Sequence, residues 1–231
     1  MKGSRKYAIL VIIIAVLFYS YVKITSTVQV HSTDIEGYTP VRVDSVAQRY
    51  VPIVIPGEKF DEPVRLLYRA SRDTDGNLHL AYHFIWDKEE NNAEGLMPFL
   101  SRNLYTGGLS LQRVMFGKGD VEVVGMVISP KNRIMRLEYE TAADYDPRDF
   151  SVKHKDVTVD GPVSTPVCFE VISWNHMFDY KKSSTKKCKD GVRLQVEYFS
   201  KELWEEYTMF KREETMLKKN RAHFKWERES I

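Results

Sequence analysis

The sequence predicts a mainly β (α+β) protein: an N-terminal transmembrane helix, an antiparallel β-sheet or sandwich-like domain, one inserted helix and a long C-terminal amphipathic helix. Residues 7–22 contain no charge, Pro or Gly. Between residues 50 and 200, short β-prone runs alternate with turn signals. Beyond residue 200, apolar residues recur at helical spacing. With 43% hydrophobic and 12% aromatic residues the chain can bury a core, and a net charge of +2 gives no indication of nucleic-acid binding.

The uncharged run predicts a membrane-spanning helix over residues 7–24. A bilayer core takes roughly 20 apolar residues, with about 17 as a lower limit. Lys23 can extend its ammonium group to the interface, and Ile24 lengthens the apolar run. A cleaved signal peptide is the alternative, but no A-x-A-like site follows the run. The residues predicted to anchor this helix in the membrane include Tyr7, Leu10, Ile14, Phe18 and Val22.

The flanking charges predict the orientation of this anchor. Lys2, Arg5 and Lys6 precede the run, whereas Lys23 is the only positive charge close behind it. The positive-inside rule therefore places the N-terminus in the cytoplasm. The bulk of the chain then lies in a periplasm, at the cell exterior or in a secretory-pathway lumen. The predicted divisions are a cytoplasmic segment 1–6, an anchor 7–24, a linker 25–49, a β-rich domain 50–200 and a C-terminal helix 201–231.

The β domain is predicted from its turns and its alternation. Asp75 and Gly76, in a polar cluster between two β-prone runs, predict a hairpin. Gly161 and Pro162 are expected to end a strand. The predicted strands cover residues 50–56, 64–70, 77–86, 111–116, 120–129, 133–141, 152–159, 167–174 and 192–199.

Two helices complete the predicted domain. The inserted helix, residues 96–105, has Leu96, Phe99, Leu100 and Leu104 at helical spacing. The C-terminal helix begins after an N-cap at Ser200 and runs from Lys201 to Phe224. We expect its apolar face to pack on a sheet or on a partner. That face consists of Leu203, Tyr207, Phe210, Leu217 and Phe224.

One constellation suggests metal chemistry. Alternation places His79 and His83 on one side of the strand 77–86, and the other side, with Leu80, Tyr82, Phe84 and Trp86, is expected to face the core. In the strand 120–129 it places Asp120 and Glu122 on one side. If these strands are neighbours, the four side chains could hold Zn²⁺ or another divalent cation. The alternative is the polar outer face of a half-buried sheet.

The segment GDVEVV, residues 119–124, resembles the Asp-x-Glu strand of the necrosis-inducing and vacuolar-sorting-like sandwich proteins. The similarity covers only these residues, and the GHRHDWE heptapeptide of those proteins is absent from this chain. We infer no family membership from it.

No catalytic residue is identified. His176 follows Trp174 and Asn175 at the end of a predicted strand, with Asp179 nearby, but a single His there is usually structural. The sequence has no GxSxG elbow, no papain-like Cys surroundings, no P-loop and no CxxC pair. We therefore expect no cofactor, unless the His/Asp/Glu set binds a divalent metal such as zinc.

Cys168 and Cys188 could form a disulfide in an oxidising compartment, which would stabilise the fold by about 3 kcal/mol. If residues 167–174 and 192–199 form a plain hairpin, however, Cys168 lies roughly 20 Å from the loop mouth. A disulfide needs Cα atoms within about 7 Å. The sequence is compatible with both a bridged and a reduced pair of cysteines.

The Lys-rich loop is either a solvated loop or a contact for anionic lipid or an acidic partner. Its cations are Lys181, Lys182, Lys186, Lys187 and Lys189. The function we expect is a single-pass membrane-anchored module with a structural or scaffolding role and a protein partner. The alternative is a membrane-tethered, metal-dependent hydrolase that uses the His/Asp/Glu cluster.

Overall fold

A computed structural model describes residues 36–57, 60–106, 117–182, 186–207 and 209. Its strands are β1 Tyr38–Pro40, β2 Ile53–Ile55, β3 Arg65–Asp73, β4 Leu78–Trp86, β5 Asp120–Ile128, β6 Ile134–Ala143, β7 Lys153–Val163, β8 Cys168–Val171, β9 Phe178–Lys181 and β10 Val196–Tyr198. Its helices are α1 Asp44–Arg49, α2 Leu96–Leu100 with a π-helical continuation Ser101–Thr106, α3 Lys186–Lys189 and α4 Lys201–Glu206.

The strands form a large and a small sheet. The large sheet has the order β1-β3-β4-β5-β6-β7, and β10 runs parallel to β3. The small sheet has the order β2-β8-β9. The successive pairs from β3 to β7 are antiparallel, which confirms the predicted antiparallel β domain.

Local turn chemistry sets the register of the first hairpin. The carboxylate of Asp73 accepts hydrogen bonds from the backbone N–H groups of Asp75 and Asn77, and Gly76 has a φ of 79°. Glycine tolerates this left-handed conformation without a Cβ clash. The turn joins β3 to β4 with Arg72 opposite Leu78, as the Asp-Gly signal predicted.

One aromatic core joins the two sheets. Tyr82 and Phe84 of β4 are buried in it together with Phe169 of β8 and Phe178 of β9. The ring centroids of Phe84 and Phe178 are 5.5 Å apart. The side of β4 that alternation assigned to the core therefore lies there.

A second core covers the opposite face of β4. Ala81 and Ile85 of β4 pack there against three aromatic residues. Phe199 follows β10, Trp204 lies in α4, and Tyr207 follows α4. Strand β4 is therefore buried on both faces, and the expectation that its second face is a polar outer surface is wrong.

Part of the predicted linker belongs to the domain. Residues 38–49 form β1 and α1 instead of an irregular stalk. Ala47 is fully buried, and its carbonyl oxygen accepts a hydrogen bond from the Tyr82 hydroxyl. The pattern failed here because elements this short show no lasting hydrophobic period.

Two strand predictions need correction. Strand β7 continues through Gly161 and Pro162 to Val163, because a strand at the edge of the sheet tolerates the missing N–H of proline. The predicted strand 167–174 is only Cys168–Val171, and it pairs with β9, which the sequence analysis missed. The predicted strand 111–116 lies outside the described residues.

The helix predictions have mixed outcomes. The inserted helix is confirmed as α2 and its π-helical continuation. Ser200 caps α4 by accepting a hydrogen bond from the Leu203 backbone N–H, but α4 ends at Glu206. The long helix to Phe224 is not seen, and residues 210–231 lie outside the described residues.

The predicted anchor, residues 7–24, also falls outside the part of the chain that the structure describes. Within the described part, no helix combines the length and the apolar character that a membrane span requires. The anchor stays a prediction from the sequence.

Candidate functional site

The predicted metal ligands do not converge. On the paired strands, Glu122 lies opposite Phe84 and Asp120 lies opposite Trp86, so both carboxylates belong to the core face of the sheet. His83 lies opposite Val123 on the other face, and His79 contacts the Asp73 carboxylate at 2.9 Å. The predicted set is therefore divided between the two faces. In the described ranges, no group of three or more His, Cys, Asp or Glu side chains could hold a metal ion.

Asp120 pairs with a different histidine. The Nδ1–H of His176 donates to Asp120 Oδ2 at 2.8 Å, and both residues are 3% exposed. The His176 ring stacks on Trp86, with centroids 4.4 Å apart and planes 6° apart. A carboxylate that orients an imidazole is the arrangement used in general acid–base catalysis. Here the pair is enclosed, and it positions the turn that follows β8 against Trp86.

A second imidazole–carboxylate pair lies beside the same turn. His154 Nδ1 is 2.9 Å from Glu140 Oε2, and His154 Nε2 is 3.1 Å from Asn175 Nδ2. Asn175 Oδ1 accepts from the Ser173 hydroxyl, so its amide nitrogen faces His154 as a donor. This geometry assigns the Nε2 of His154 as acceptor and its Nδ1–H as donor to Glu140.

The sequence pattern singles out His176 and Asn175, but it predicts neither His154 nor Glu140 as a site residue. These two residues lie 14 positions apart on the neighbouring strands β6 and β7. The charged alternation of residues 152–159 was the only available signal, and it is equally typical of a solvated strand.

The hydrogen bond to Glu140 raises the pKa of His154 above its ordinary value. We expect Glu140→Gln to lower that pKa, because the neutral amide no longer favours the imidazolium. A raised pKa in the folded state stabilises the protein at acidic pH, and this contribution is lost as the pH rises through the raised pKa. An NMR titration of the His154 Cε1–H measures the effect, with Glu138→Gln as the control on the same strand. An unchanged His154 pKa in Glu140→Gln would contradict the pairing.

Most of the exposed large apolar side chains of the described residues lie on α2 and its continuation. Only Pro98 is buried within Leu96–Leu100. The exposed fractions reach 69% for Leu96 and 54% for Phe99, and Met97 and Leu104 are exposed as well. Contiguous exposed apolar side chains of this kind mark interaction sites more often than isolated ones do. We name Leu96, Met97, Phe99 and Leu104 the α2 face.

The α2 face is held in place by hydrogen bonds beneath it. Arg102 donates to the carbonyl oxygens of Asn91 and Ala93, the latter at 2.8 Å. The buried Asn91 amide donates to the carbonyl oxygens of Pro147 and Asp149 at 2.9 and 3.3 Å. The helix is thereby tied to the loops that follow β4 and β6.

The loops beside the α2 face are acidic. Lys88 pairs with Glu90, and Arg148 pairs with Asp146. Asp87 and Glu94 are exposed and form no ion pair within the described residues, and the exposed Asp149 interacts electrostatically with the Arg148 guanidinium. An apolar centre bordered by exposed carboxylates favours a partner with apolar and basic side chains.

The two cysteines are bridged in the structure, with Cα atoms 5.9 Å apart. The assumed hairpin between residues 167–174 and 192–199 is wrong. Strand β8 pairs with β9 so that Cys168 lies opposite Lys181, immediately before the loop that carries Cys188. The 20 Å separation that the wrong hairpin implied therefore disappears.

The Lys-rich loop is only partly described. Lys181 pairs with Glu170 at 3.1 Å and also contacts Asp179, so its charge is compensated. Lys182 and Lys189 are exposed. The side chains of Lys186 and Lys187 lie outside the described residues, and the anionic contact stays a prediction.

Together these features define a two-sheet β domain that presents one exposed apolar helix. No protein-family model matches the chain, and no curated protein or solved structure matches it either.

Proposed function

We propose that the protein is a single-pass membrane-anchored interaction module whose β-rich domain lies outside the cytoplasm. In this proposal the domain binds a protein partner through the α2 face. The observation that carries the proposal is the exposure of Leu96, Met97, Phe99 and Leu104 on one fixed helix. Burying a Leu or Phe side chain contributes roughly 1.5–3 kcal/mol. A partner that covers this face therefore gains substantial binding energy.

The charges beside the α2 face support a protein partner over an anionic bilayer. Asp87, Glu94 and Asp149 would be repelled by anionic lipid headgroups. A partner segment with apolar residues and flanking Lys or Arg would satisfy both the apolar face and its acidic border. Such segments bind exposed hydrophobic surfaces as amphipathic helices.

Two further observations support the compartment. The uncharged run at residues 7–22 has its basic flank on the N-terminal side. The Cys168–Cys188 disulfide is typical of proteins in oxidising compartments. We do not propose the metal-dependent hydrolase, because the strand register separates His79 and His83 from Asp120 and Glu122.

The test uses the full chain in nanodiscs of zwitterionic lipid and a fluorescent synthetic amphipathic helix made of Leu and Lys. We expect Phe99→Asp to weaken binding by about tenfold or more, since it removes an apolar contact and adds a buried charge. Fluorescence anisotropy, corrected with empty nanodiscs, measures the dissociation constant.

Met135→Asp is the matched control for this experiment. Met135 is 41% exposed, similar to the residues of the α2 face, but it lies near the start of β6, whereas α2 is tied to the loop that follows the end of β6. Binding that is equally strong in the wild type and in Phe99→Asp would refute the α2 face as the contact surface.

A further inference from the structure

We infer that the chain's own C-terminal segment, residues 210–231, covers the α2 face in cis and must be displaced by the partner. The inference rests on the proposed function, because it assigns a regulatory contact to the same surface. Three independent features support it: the chemistry of the segment, the point where it leaves the domain, and its length.

The segment has the chemistry that the α2 face selects. Phe210, Leu217 and Phe224 are spaced seven residues apart, so they fall on one side of a helix. Basic residues outnumber the acidic ones Glu213, Glu214, Glu227 and Glu229. The basic residues are Lys211, Arg212, Lys218, Lys219, Arg221, Lys225 and Arg228. An apolar stripe with flanking cations complements an apolar helix bordered by exposed carboxylates.

The last described residue, Met209, lies near the start of the loop that joins β4 to α2, residues 87–95, which we name the acidic loop. Met209 is buried in the second core with Ile85 and Val121, residues at the end of β4 and the start of β5. Lys118 fixes the same point, since it donates to Glu206 at 2.6 Å and lies 5.3 Å above the Tyr207 ring.

The start of the acidic loop lies close in space to Lys118. The backbone at Gly119 packs so closely on the Trp86 carbonyl that an added Cβ would lie 2.6 Å from the oxygen. Asp87, the first residue of the acidic loop, follows Trp86 directly. The C-terminal segment therefore leaves the domain at the edge where the loop leading to α2 starts.

The segment is also long enough. At 1.5 Å per residue, residues 210–231 extend about 33 Å as a helix and further if extended. Residues 96–106 extend about 16 Å by the same measure. As a helix, the segment is therefore about twice as long as α2 and its continuation.

The experiment compares the full chain with a variant carrying Phe210→Ser, Leu217→Ser and Phe224→Ser. The matched control carries Thr215→Ser, Asn220→Ser and Ala222→Ser, which place three serines in the same segment without touching the apolar stripe. The hydrogen–deuterium exchange rate of the backbone amides of residues 96–104, measured in zwitterionic nanodiscs, shows whether the C-terminal segment covers the α2 face. We expect faster exchange in the apolar variant and wild-type exchange in the control.

The synthetic Leu/Lys helix provides the second measurement. We expect the apolar variant to bind it about tenfold more tightly than the wild type. That factor corresponds to a face that is uncovered roughly a tenth of the time in the wild type. Adding Phe99→Asp to the apolar variant should abolish the gain, because the probe and the segment use the same face.

The possible outcomes separate the inference from the proposed function. Equal probe binding by the wild type and the apolar variant, still dependent on Phe99, overturns the cis cover and leaves the proposed function standing. Binding that is independent of Phe99 in both proteins refutes both. Protection of residues 96–104 that weakens on dilution assigns the cover to a second copy, and protection that persists in the apolar variant assigns it to the bilayer or another segment. Either result overturns the inference.

Discussion

Replacing Phe169 with Ala is expected to lower the free energy of unfolding by about 3–5 kcal/mol. Phe169 is fully buried in the small sheet, and its ring centroid lies 5.0 Å from that of Tyr139 in the large sheet. It also contacts Phe178 and Tyr180, with centroids 5.5 and 5.9 Å away. The substitution leaves a cavity where the two sheets meet, and the surrounding rings are too constrained by their own strands to fill it.

Urea denaturation of the oxidised protein, followed by tryptophan fluorescence, measures this loss. Met135→Ala is the control, because Met135 is exposed on β6 and its truncation removes few buried contacts. We expect the control to change stability by less than about 0.5 kcal/mol. A loss of less than about 1 kcal/mol for Phe169→Ala would show that the small sheet is not part of the same cooperative core.

The sequence correctly predicted those strands, turns and helices that a few neighbouring residues are enough to indicate. The alternation of Leu80, Tyr82 and Phe84 identified the core side of β4, and the Asp-Gly pair identified the hairpin before it. The spacing of Leu96, Phe99 and Leu104 identified α2, although these side chains are largely exposed and do not face a core. Spacing therefore predicted the helix, whereas the exposure of these side chains is known only from the structure.

The candidate site depended on information that alternation does not contain. Each strand shows which of its residues share a face, but not which face of β5 matches a given face of β4. That relation follows from the register, in which Asp120 lies opposite Trp86 and not opposite a histidine. The actual partner of Asp120 is His176, 56 residues away in the chain, and it is brought there by β8 and the turn after it.

Strand pairing also decides whether the stabilising disulfide between Cys168 and Cys188 can form. The expected separation of Cys168 from Cys188 required a hairpin between the strands near residues 167–174 and 192–199. In the structure, β9 occupies the position beside β8, and β10 pairs with β3 in the other sheet. The bridged Cys168 and Cys188 are buried together with Ile55 of β2.

The second large effect is therefore expected when the bridge is removed. Cys168→Ala combined with Cys188→Ala should lower the free energy of unfolding by about 3 kcal/mol, because the two residues are 20 positions apart and the bridge closes that loop in the unfolded chain. The loss of buried sulfur contacts adds to this value.

Urea denaturation of the oxidised wild type and of the double variant measures the difference, and the reduced, alkylated wild type serves as the second reference. Thiol counting in denaturant, without reductant, is the necessary control. Two reactive thiols in protein isolated without reductant would contradict the bridge, and with it one of the two supports for the proposed oxidising compartment. A bridged protein whose stability equals that of the double variant would instead show that the unfolded chain is already compact between these residues, so that closing the loop removes little entropy.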